Sequence, residues 1–112
     1  MAVDVKYTTE SHATGGGRNG ISKLVNGMLI VTMASPKELG GSGLGLNPEE
    51  LFAVGYAACY LGAMRFAAGT EKLGTVPPDA AVNATVGIGG RDDGGFGLTV
   101  QLRVTMPGVD RA

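Results

Sequence analysis

The sequence predicts an α+β fold in which antiparallel β-strands precede and follow one long helix. Three observations indicate this class: Asn26-Gly27 joins two apolar runs, residues 47–68 have the start signals and composition of a helix, and residues 96–106 alternate apolar with polar side chains. The order of hairpin, helix and hairpin lacks the βαβ crossover of a parallel sheet. We therefore expect an antiparallel sheet packed on a long, buried central helix.

The first third of the sequence predicts one strand followed by a hairpin. Val3, Val5 and Tyr7 alternate with polar residues, which is the pattern of a half-buried strand over residues 3–9. After a glycine-rich loop, two apolar runs at 21–25 and 28–33 flank Asn-Gly. This dipeptide favours a type I′ turn, because both central residues of that turn have positive φ.

A helix start is well marked after a loop over residues 35–46. Asn47 is a good N-cap, Pro48 suits the first helical position, and Glu49 and its neighbour favour the positive end of the helix dipole. From Pro48 to about position 68 the helix is apolar nearly all round, which predicts burial. A monomer of 112 residues covers such a helix poorly.

The last part of the sequence predicts a second hairpin, with strands over residues 81–88 and 96–106. One face of the final strand is apolar and is expected to pack against the core, and the other face is polar and is expected to be exposed to solvent. Asp110 has the features of a helix N-cap, yet the sequence ends two residues later, so we expect a continuation. We interpret residues 1–112 as a single domain that is truncated at its C-terminus.

Composition narrows the classes of function. A net charge of -1 and a pI near 5.7 leave no basic surplus, so nucleic acid and anionic membranes are poor partners. The longest uncharged apolar run, residues 51–64, is shorter than the roughly 20 residues that cross a bilayer. The start lacks a secretion signal, and a lone cysteine suits a reduced compartment, which predicts a cytoplasmic protein. One cysteine and one histidine exclude the usual zinc site, and no metal or cofactor is expected.

Cys59, the only cysteine, lies in the apolar helix. A lone cysteine in such surroundings is most often a small buried hydrophobe. Gly55 and Gly62, at positions i-4 and i+3, open a shallow groove beside the thiol, which suits either close helix packing or a ligand. A reactive cysteine must be held as a thiolate, which requires a nearby cation or a helix N-terminus, and Cys59 is far from the start of its own helix. Arg18 in the glycine loop is a candidate, and Glu49 could orient its guanidinium.

The spacing of the candidates predicts where the site lies. Glu49 and Cys59 are ten residues apart, about 15 Å along one helix, too far for both to contact one arginine. Two copies that pack their helices antiparallel would bring each Glu49 towards the Cys59 of the other chain. The spacing therefore predicts a homodimer with two equivalent sites at the subunit interface.

Two weaker signals carry no function. The glycine-rich loop of residues 40–47 precedes a helix, but it matches neither the dinucleotide-binding fingerprint nor the lysine-bearing phosphate loop. His12 stands apart from any partner suited to catalysis, so we interpret it as structural or exposed.

Five segments form an ordered set of motifs: residues 14–20 (TGGGRNG), 36–41 (PKELGG), 47–59 (NPEELFAVGYAAC), 86–89 (VGIG) and 94–98 (GGFGL). In this order they closely resemble the organic hydroperoxide resistance proteins of the OsmC/Ohr superfamily. The resemblance implies a thiol-dependent peroxidase that forms an intertwined homodimer, with two long central helices between sheets. It matches the peroxidatic cysteine to Cys59, the activating arginine to Arg18 and the glutamate that holds it to Glu49.

The resemblance also implies what the rest of the reaction needs. The family continues for a further helix and strand that carry a second, resolving cysteine in a Val-Cys-Pro-Tyr-like motif, which these 112 residues do not include. A dithiol or a lipoylated protein is the reductant that the family implies.

The hypothesis is a peroxidase that reduces alkyl or lipid hydroperoxides to alcohols in oxidative-stress defence. Four side chains are available to line an apolar substrate pocket, although core packing explains them equally well: Phe52, Tyr56, Tyr60 and Met64. The alternative is an α+β dimeric module that binds apolar ligands, with Cys59 inert or able to react only once. A redox sensor would need a DNA-binding element, which the composition does not offer.

Overall fold

A computed structural model describes residues 3–70 and 76–107 of the chain. The chain divides into two compact units, Met1–Pro48 and Glu49–Ala112. The elements are, in order, β1 (Ser11–Thr14), β2 (Ile21–Leu24), β3 (Ile30–Thr32), a short 3-10 turn (Lys37–Leu39), α1 (Pro48–Thr70), β4 (Ala81–Gly90) and β5 (Phe96–Thr105). The predicted α+β class, with antiparallel sheets and a long helix, is confirmed. The single domain stays a prediction, and the predicted N-cap at Asp110 lies outside the described residues.

The first unit contains an antiparallel sheet in the order β1-β2-β3. Ile21 in the middle strand lies opposite Thr14 on one side and Thr32 on the other. Just beyond β3, Met33 forms a parallel bridge with Leu46, which ties the segment before α1 to the sheet. The buried residues of this unit follow the same stretch: Val31, Met33, Ala34 and Ser35.

The strand predicted over residues 3–9 is wrong. Residues 3–10 have no regular secondary structure, and β1 begins at Ser11. Ser11 lies opposite Leu24, the last residue of β2, so the segment before Ser11 extends past the end of its partner strand. Alternating apolar residues form a strand only where another strand lies alongside, and here Val3, Val5 and Tyr7 are exposed.

The predicted hairpin of β2 and β3 is confirmed, but its turn differs from the type I′ turn expected. The Gly27 N–H donates to the Leu24 carbonyl at 2.9 Å, so Val25 and Asn26 are the central residues. Gly27 follows them with φ of +80°, a conformation that glycine adopts without strain. A turn followed by one left-handed residue is a common hairpin connection, so Asn-Gly predicted the hairpin correctly and its turn incorrectly.

In the second unit, α1 is a continuous helix of 23 residues with Glu49 and Glu50 in its first turn. None of its residues is buried among those that the structure describes. Its burial in an assembly stays a prediction. By length and apolar composition alone the helix could also cross a membrane, as the core helix of many soluble proteins could. The helix is longer than the uncharged run at residues 51–64, because it continues past the charged residues at both ends of that run.

Strands β4 and β5 form the predicted second hairpin over ten paired positions. Its register places apolar residues opposite one another on one face, in the pairs Val82–Val104, Ala84–Leu102, Val86–Val100 and Ile88–Leu98. Polar pairs such as Asn83–Arg103 and Thr85–Gln101 occupy the other face. The predicted alternation is confirmed. The apolar face is only partly covered within the chain, because its β4 members are half-buried while Leu98, Val100 and Val104 are exposed.

Candidate active site

Cys59 lies in the middle of α1, and its side chain is exposed. A pocket of about 230 Å³ is lined by Cys59 together with Tyr56, Tyr60 and Ala63. These four residues are spaced i, i+3, i+4 and i+7 along about two turns of one helix face, so the helix itself builds the wall of the pocket. Within the chain, therefore, Cys59 is not a buried packing residue. A small apolar molecule could reach its thiol.

Two aromatic rings continue this wall towards the start of the helix. The ring centroids of Phe52 and Tyr56 are 5.3 Å apart, with a tilt of 41° between the ring planes. Residues at i and i+4 lie on the same face of a helix, so the Phe52 ring extends the apolar surface beside the pocket. Both rings are more than one-third exposed and could contact a ligand.

The predicted lining residues are thus only partly brought together. Tyr56 and Tyr60 line the pocket and Phe52 packs beside it, whereas Met64 is half-buried and does not line it. Met64 follows Cys59 by five residues, which is about 140° around a helix and so on another face. Ala63, at i+4 from Cys59, lines the pocket instead, and helical spacing could have identified it. That these residues bind a substrate stays a prediction.

The groove expected beside the thiol is open. A Cβ added at Gly55 or Gly62 would meet no described atom of its unit within 4 Å. The backbone of α1 is therefore bare at both positions, next to the face that carries Cys59. Another helix or a ligand could approach it closely.

Glu49 lies in the first turn of α1, and the helix runs without interruption from there past Cys59. The spacing of about 15 Å along one helix therefore applies, and it keeps the two side chains apart within one chain. A site that combines them needs two copies of α1.

Arg18 belongs to the first unit, in the loop that joins β1 to β2, and is half-buried there. Gly15 and Gly17 adopt φ of +77° and +68°, which allows the loop to turn tightly just before the arginine. On the other side, the side-chain oxygen of Asn19 accepts a hydrogen bond from the Ser35 N–H at 3.1 Å. The loop thus turns tightly before Arg18 and is anchored after it, while the role of Arg18 at Cys59 stays a prediction.

Arg65, six residues after Cys59 on α1, forms hydrogen bonds to the chain after the helix. Its Nη1 donates to the Val76 carbonyl at 3.0 Å and its Nη2 to the Pro77 carbonyl at 2.9 Å. These bonds direct the guanidinium to the chain after the helix, and a spacing of six residues places Arg65 on a different helix face from Cys59. His12 is exposed on β1. Among the residues that the structure describes, no group of three or more His, Cys, Asp or Glu side chains could hold a metal ion.

Fold and site together define a class: an α+β protein with antiparallel sheets that exposes a lone thiol on its long apolar helix. No protein-family model matches the chain. It is 46% identical over 109 residues to the organic hydroperoxide resistance protein of Xanthomonas axonopodis pv. citri, a match that covers 96% of this chain and 75% of that protein.

Two crystal structures agree with this relationship. The organic hydroperoxide resistance protein OsmC of Legionella pneumophila superimposes with a TM-score of 0.86 at 38% identity, covering 96% of this chain and 77% of that one. The organic hydroperoxide resistance protein of Elizabethkingia anophelis gives 0.84 at 43% identity, covering 96% and 76%. The chain therefore belongs to the organic hydroperoxide resistance family of the OsmC/Ohr superfamily, which confirms the resemblance of its motifs.

Proposed function

We propose that the protein is a cysteine-based peroxidase that reduces alkyl or lipid hydroperoxides to alcohols in defence against oxidative stress. The observation that carries this proposal is the exposed thiol of Cys59 on the wall of an apolar pocket. Membership of a family named for organic hydroperoxide resistance supports it.

In the proposed reaction the Cys59 thiolate attacks the outer oxygen of the hydroperoxide. The O–O bond breaks and an S–O bond forms, which oxidises the cysteine to a sulfenic acid and reduces the peroxide. The alkoxide that leaves takes up a proton and departs as the alcohol. Two electrons pass from sulfur to oxygen, and no metal or cofactor is needed.

We propose that Arg18 stabilises the Cys59 thiolate and that Glu49 holds the Arg18 guanidinium in place. A guanidinium near sulfur favours the thiolate over the thiol, and its planar donors could also orient the two peroxide oxygens. A carboxylate that binds the guanidinium in a bidentate manner would hold it in one orientation. The match of residues 14–20 and 47–59 to the family motifs supports both assignments, as does the tight turn that precedes Arg18.

The pocket supports a preference for organic hydroperoxides over hydrogen peroxide. Tyr56 and Tyr60 present aromatic surface beside the thiol, and Phe52 enlarges it. An alkyl group placed there leaves water, and burying apolar area stabilises the complex by about 25 cal/mol per Å². Hydrogen peroxide has no such group and gains nothing from this surface.

A dithiol or a lipoylated protein is the reductant we propose, in the cytoplasm. One thiol would attack the sulfenic sulfur and release water, and the second would then restore the Cys59 thiol and leave the reductant as a disulfide. Family membership supports this choice, as does the need for a compartment in which thiols stay reduced.

We also propose a homodimer with a site at each end of a helix pair. If antiparallel copies of α1 place Glu49 opposite Cys59, the crossing lies halfway between them, at position 54. Gly55 is adjacent to that crossing and has open space around it, which would let two helix backbones approach closely.

The direct test exposes the reduced protein to cumene hydroperoxide together with a sulfenic-acid trap and then measures the intact mass. We expect one trap adduct on Cys59, and none on Cys59→Ser, which provides the control. Reaction with hydrogen peroxide should be slower than with cumene hydroperoxide. An unmodified wild-type mass after treatment would refute the peroxidase.

A second measurement separates a peroxidase from a binding module, which the apolar pocket alone would also suit. Peroxide consumption is followed over time with dihydrolipoamide as reductant. Continued consumption beyond one equivalent indicates turnover. A burst of one equivalent followed by a stop indicates a thiol that reacts once, and no consumption indicates an inert cysteine.

A further inference from the structure

We infer that Asn19 is a positioning residue for Arg18, because its side chain anchors the loop that presents the guanidinium. The inference rests on the proposed function, since it concerns how the activating arginine is held. It assigns Asn19 no contact with the substrate.

The anchor is a hydrogen bond between loops that are distant in sequence. The Asn19 Oδ1 accepts from the Ser35 N–H at 3.1 Å, across a separation of 16 residues, in a partly buried place. Ser35 is itself buried, and its carbonyl accepts from the Gly43 N–H at 3.0 Å. Ser35 is thus held by its burial and by the Gly43 bond, independently of Asn19, so the Asn19 side chain is attached to a residue that moves little.

The loop on the other side of Arg18 needs such an anchor. Three successive glycines, Gly15 to Gly17, precede the arginine, and glycine has the largest conformational freedom in an unrestrained chain. At the far end, Gly20 is held because its carbonyl accepts from the Met33 N–H at 2.8 Å. Asn19 lies between Arg18 and this end, so its side chain fixes the peptide directly after the arginine.

The same anchor reaches the segment before α1. Gly43, which binds the Ser35 carbonyl, is three residues before Leu46, and the Leu46 N–H donates to the Thr32 carbonyl at 3.0 Å. An added Cβ at Gly41 would collide with the Ser35 carbonyl, which indicates how closely this loop packs around Ser35. Loss of the Asn19 bond would therefore free the Arg18 loop while its point of attachment stays in place.

A matched control exists in the same unit. The Asn26 Oδ1 accepts from the Met28 N–H at 2.9 Å in the turn between β2 and β3. It is the same type of bond from the same type of residue, but it lies outside the Arg18 loop. Asn19→Ala removes an asparagine hydrogen bond next to Arg18, and Asn26→Ala removes one away from it. The difference between the two variants therefore measures the effect that is specific to the Arg18 loop.

The experiment measures the alkylation rate of Cys59 by iodoacetamide between pH 5 and 9, and its reaction rate with cumene hydroperoxide. We expect Asn19→Ala to lower both rates at neutral pH by about tenfold, since small misplacements of an activating group have large effects. Asn19→Asp keeps the acceptor oxygen and should stay within about threefold of wild type, while Asn26→Ala should leave both rates unchanged. Circular dichroism and thermal unfolding of each variant verify that the fold is intact.

A double-mutant cycle provides the decisive comparison. If Asn19 acts through Arg18, then Asn19→Ala has no further effect on the rates of an Arg18→Ala protein. If Asn19→Ala lowers the rates by the same factor in the wild-type and the Arg18→Ala proteins, the inference is overturned. It is also overturned if a folded Asn19→Ala protein is alkylated at the wild-type rate across the pH range. If wild type is alkylated normally but does not react with peroxide, the proposed function fails, and the alkylation cycle still decides whether Asn19 acts through Arg18.

Discussion

The glycines of the first unit and those of α1 differ in what surrounds them. In the first unit, an added Cβ would collide with a carbonyl oxygen of the same unit at Gly20, Gly41 and Gly45. In α1 the same atom would meet no described atom of its unit within 4 Å at Gly55, Gly62 and Gly69. One set of glycines is explained by the unit that contains it, and the other is not.

The difference teaches where each part of the site obtains its shape. The first unit uses glycine to bring backbones together, and so forms the loop of Arg18 by its own hydrogen bonds. In α1 each interior glycine costs about 1 kcal/mol of helix stability relative to alanine, with no packing inside the unit to offset it. If the proposed homodimer forms, a second copy would cover this face of the helix.

The largest effect is expected from Gly20→Ala in the first unit. Its Cβ would overlap the Thr14 carbonyl, so the loop must shift, and we expect a loss of about 3 kcal/mol in the free energy of unfolding. Gly17→Ala is the control, since it has open space and only a positive φ, and should cost about 1 kcal/mol. Urea unfolding measures both. Equal losses would show that close packing is not what requires glycine at position 20.

Arg65→Met tests whether the second unit also supports itself. The variant keeps the apolar stem but removes the bonds to the Val76 and Pro77 carbonyls, at a cost of about 2 kcal/mol. Arg65→Lys can donate to one carbonyl and should recover part of that loss. Thermal unfolding measures both variants. A stability like that of wild type for Arg65→Met would mean that the segment after the helix is held by other contacts.

Gly55→Leu tests the open face of α1 directly. A leucine at the proposed crossing would keep two backbones apart and weaken association by about tenfold, or 1.4 kcal/mol. Gly69→Leu adds the same side chain to the same helix, away from the crossing, and should leave association unchanged. Sedimentation velocity over a range of concentrations measures both. Tight dimers of Gly55→Leu would require a different interface.

The smallest effect is expected at the tip of the second hairpin. Arg91 and Asp93 form an ion pair at 2.9 Å in which both side chains are more than half exposed. Exposed pairs contribute little, so Arg91→Ala should change the free energy of unfolding by less than about 0.5 kcal/mol. Chemical unfolding at low and high salt measures it. A larger loss in the free energy of unfolding would mean that the loop at Arg91 stabilises the second unit through more than an exposed ion pair.

Local patterns in the sequence predicted most of the elements. The Asn-Gly dipeptide, the Asn47-Pro48 helix start and the alternation in β5 each act within a few residues, and all three elements are present. The strand predicted at residues 3–9 was wrong because the extent of β1 depends on its pairing with β2. A local sequence pattern carries no information about that pairing. The predicted type I′ turn was wrong because the pairing register of the two strands, rather than the local composition, determines which residues are central in the turn.

The candidate site likewise combines residues that helical spacing brings together with a contact that no local pattern predicts. Tyr56 and Tyr60 line the pocket with Cys59, and so does Ala63, which lies at i+4 from the cysteine. That Tyr56, Tyr60 and Met64 bind a substrate stays a prediction. The bond between Asn19 and Ser35 joins two loops 16 residues apart, and no periodicity predicts it. Contacts of this type depend on the folded sheet, so only the structure identifies them.

The exposure of α1 has a consequence for how the protein responds to dilution. If a second copy covers α1, it does so by mass action, and the stability of the folded chain would then rise with protein concentration. If Glu49 and Cys59 of different copies share a site, the specific activity per chain rises with it. Specific activity should then fall on dilution with a midpoint near the dissociation constant of the dimer. The unfolding temperature should fall with the logarithm of the protein concentration above that constant.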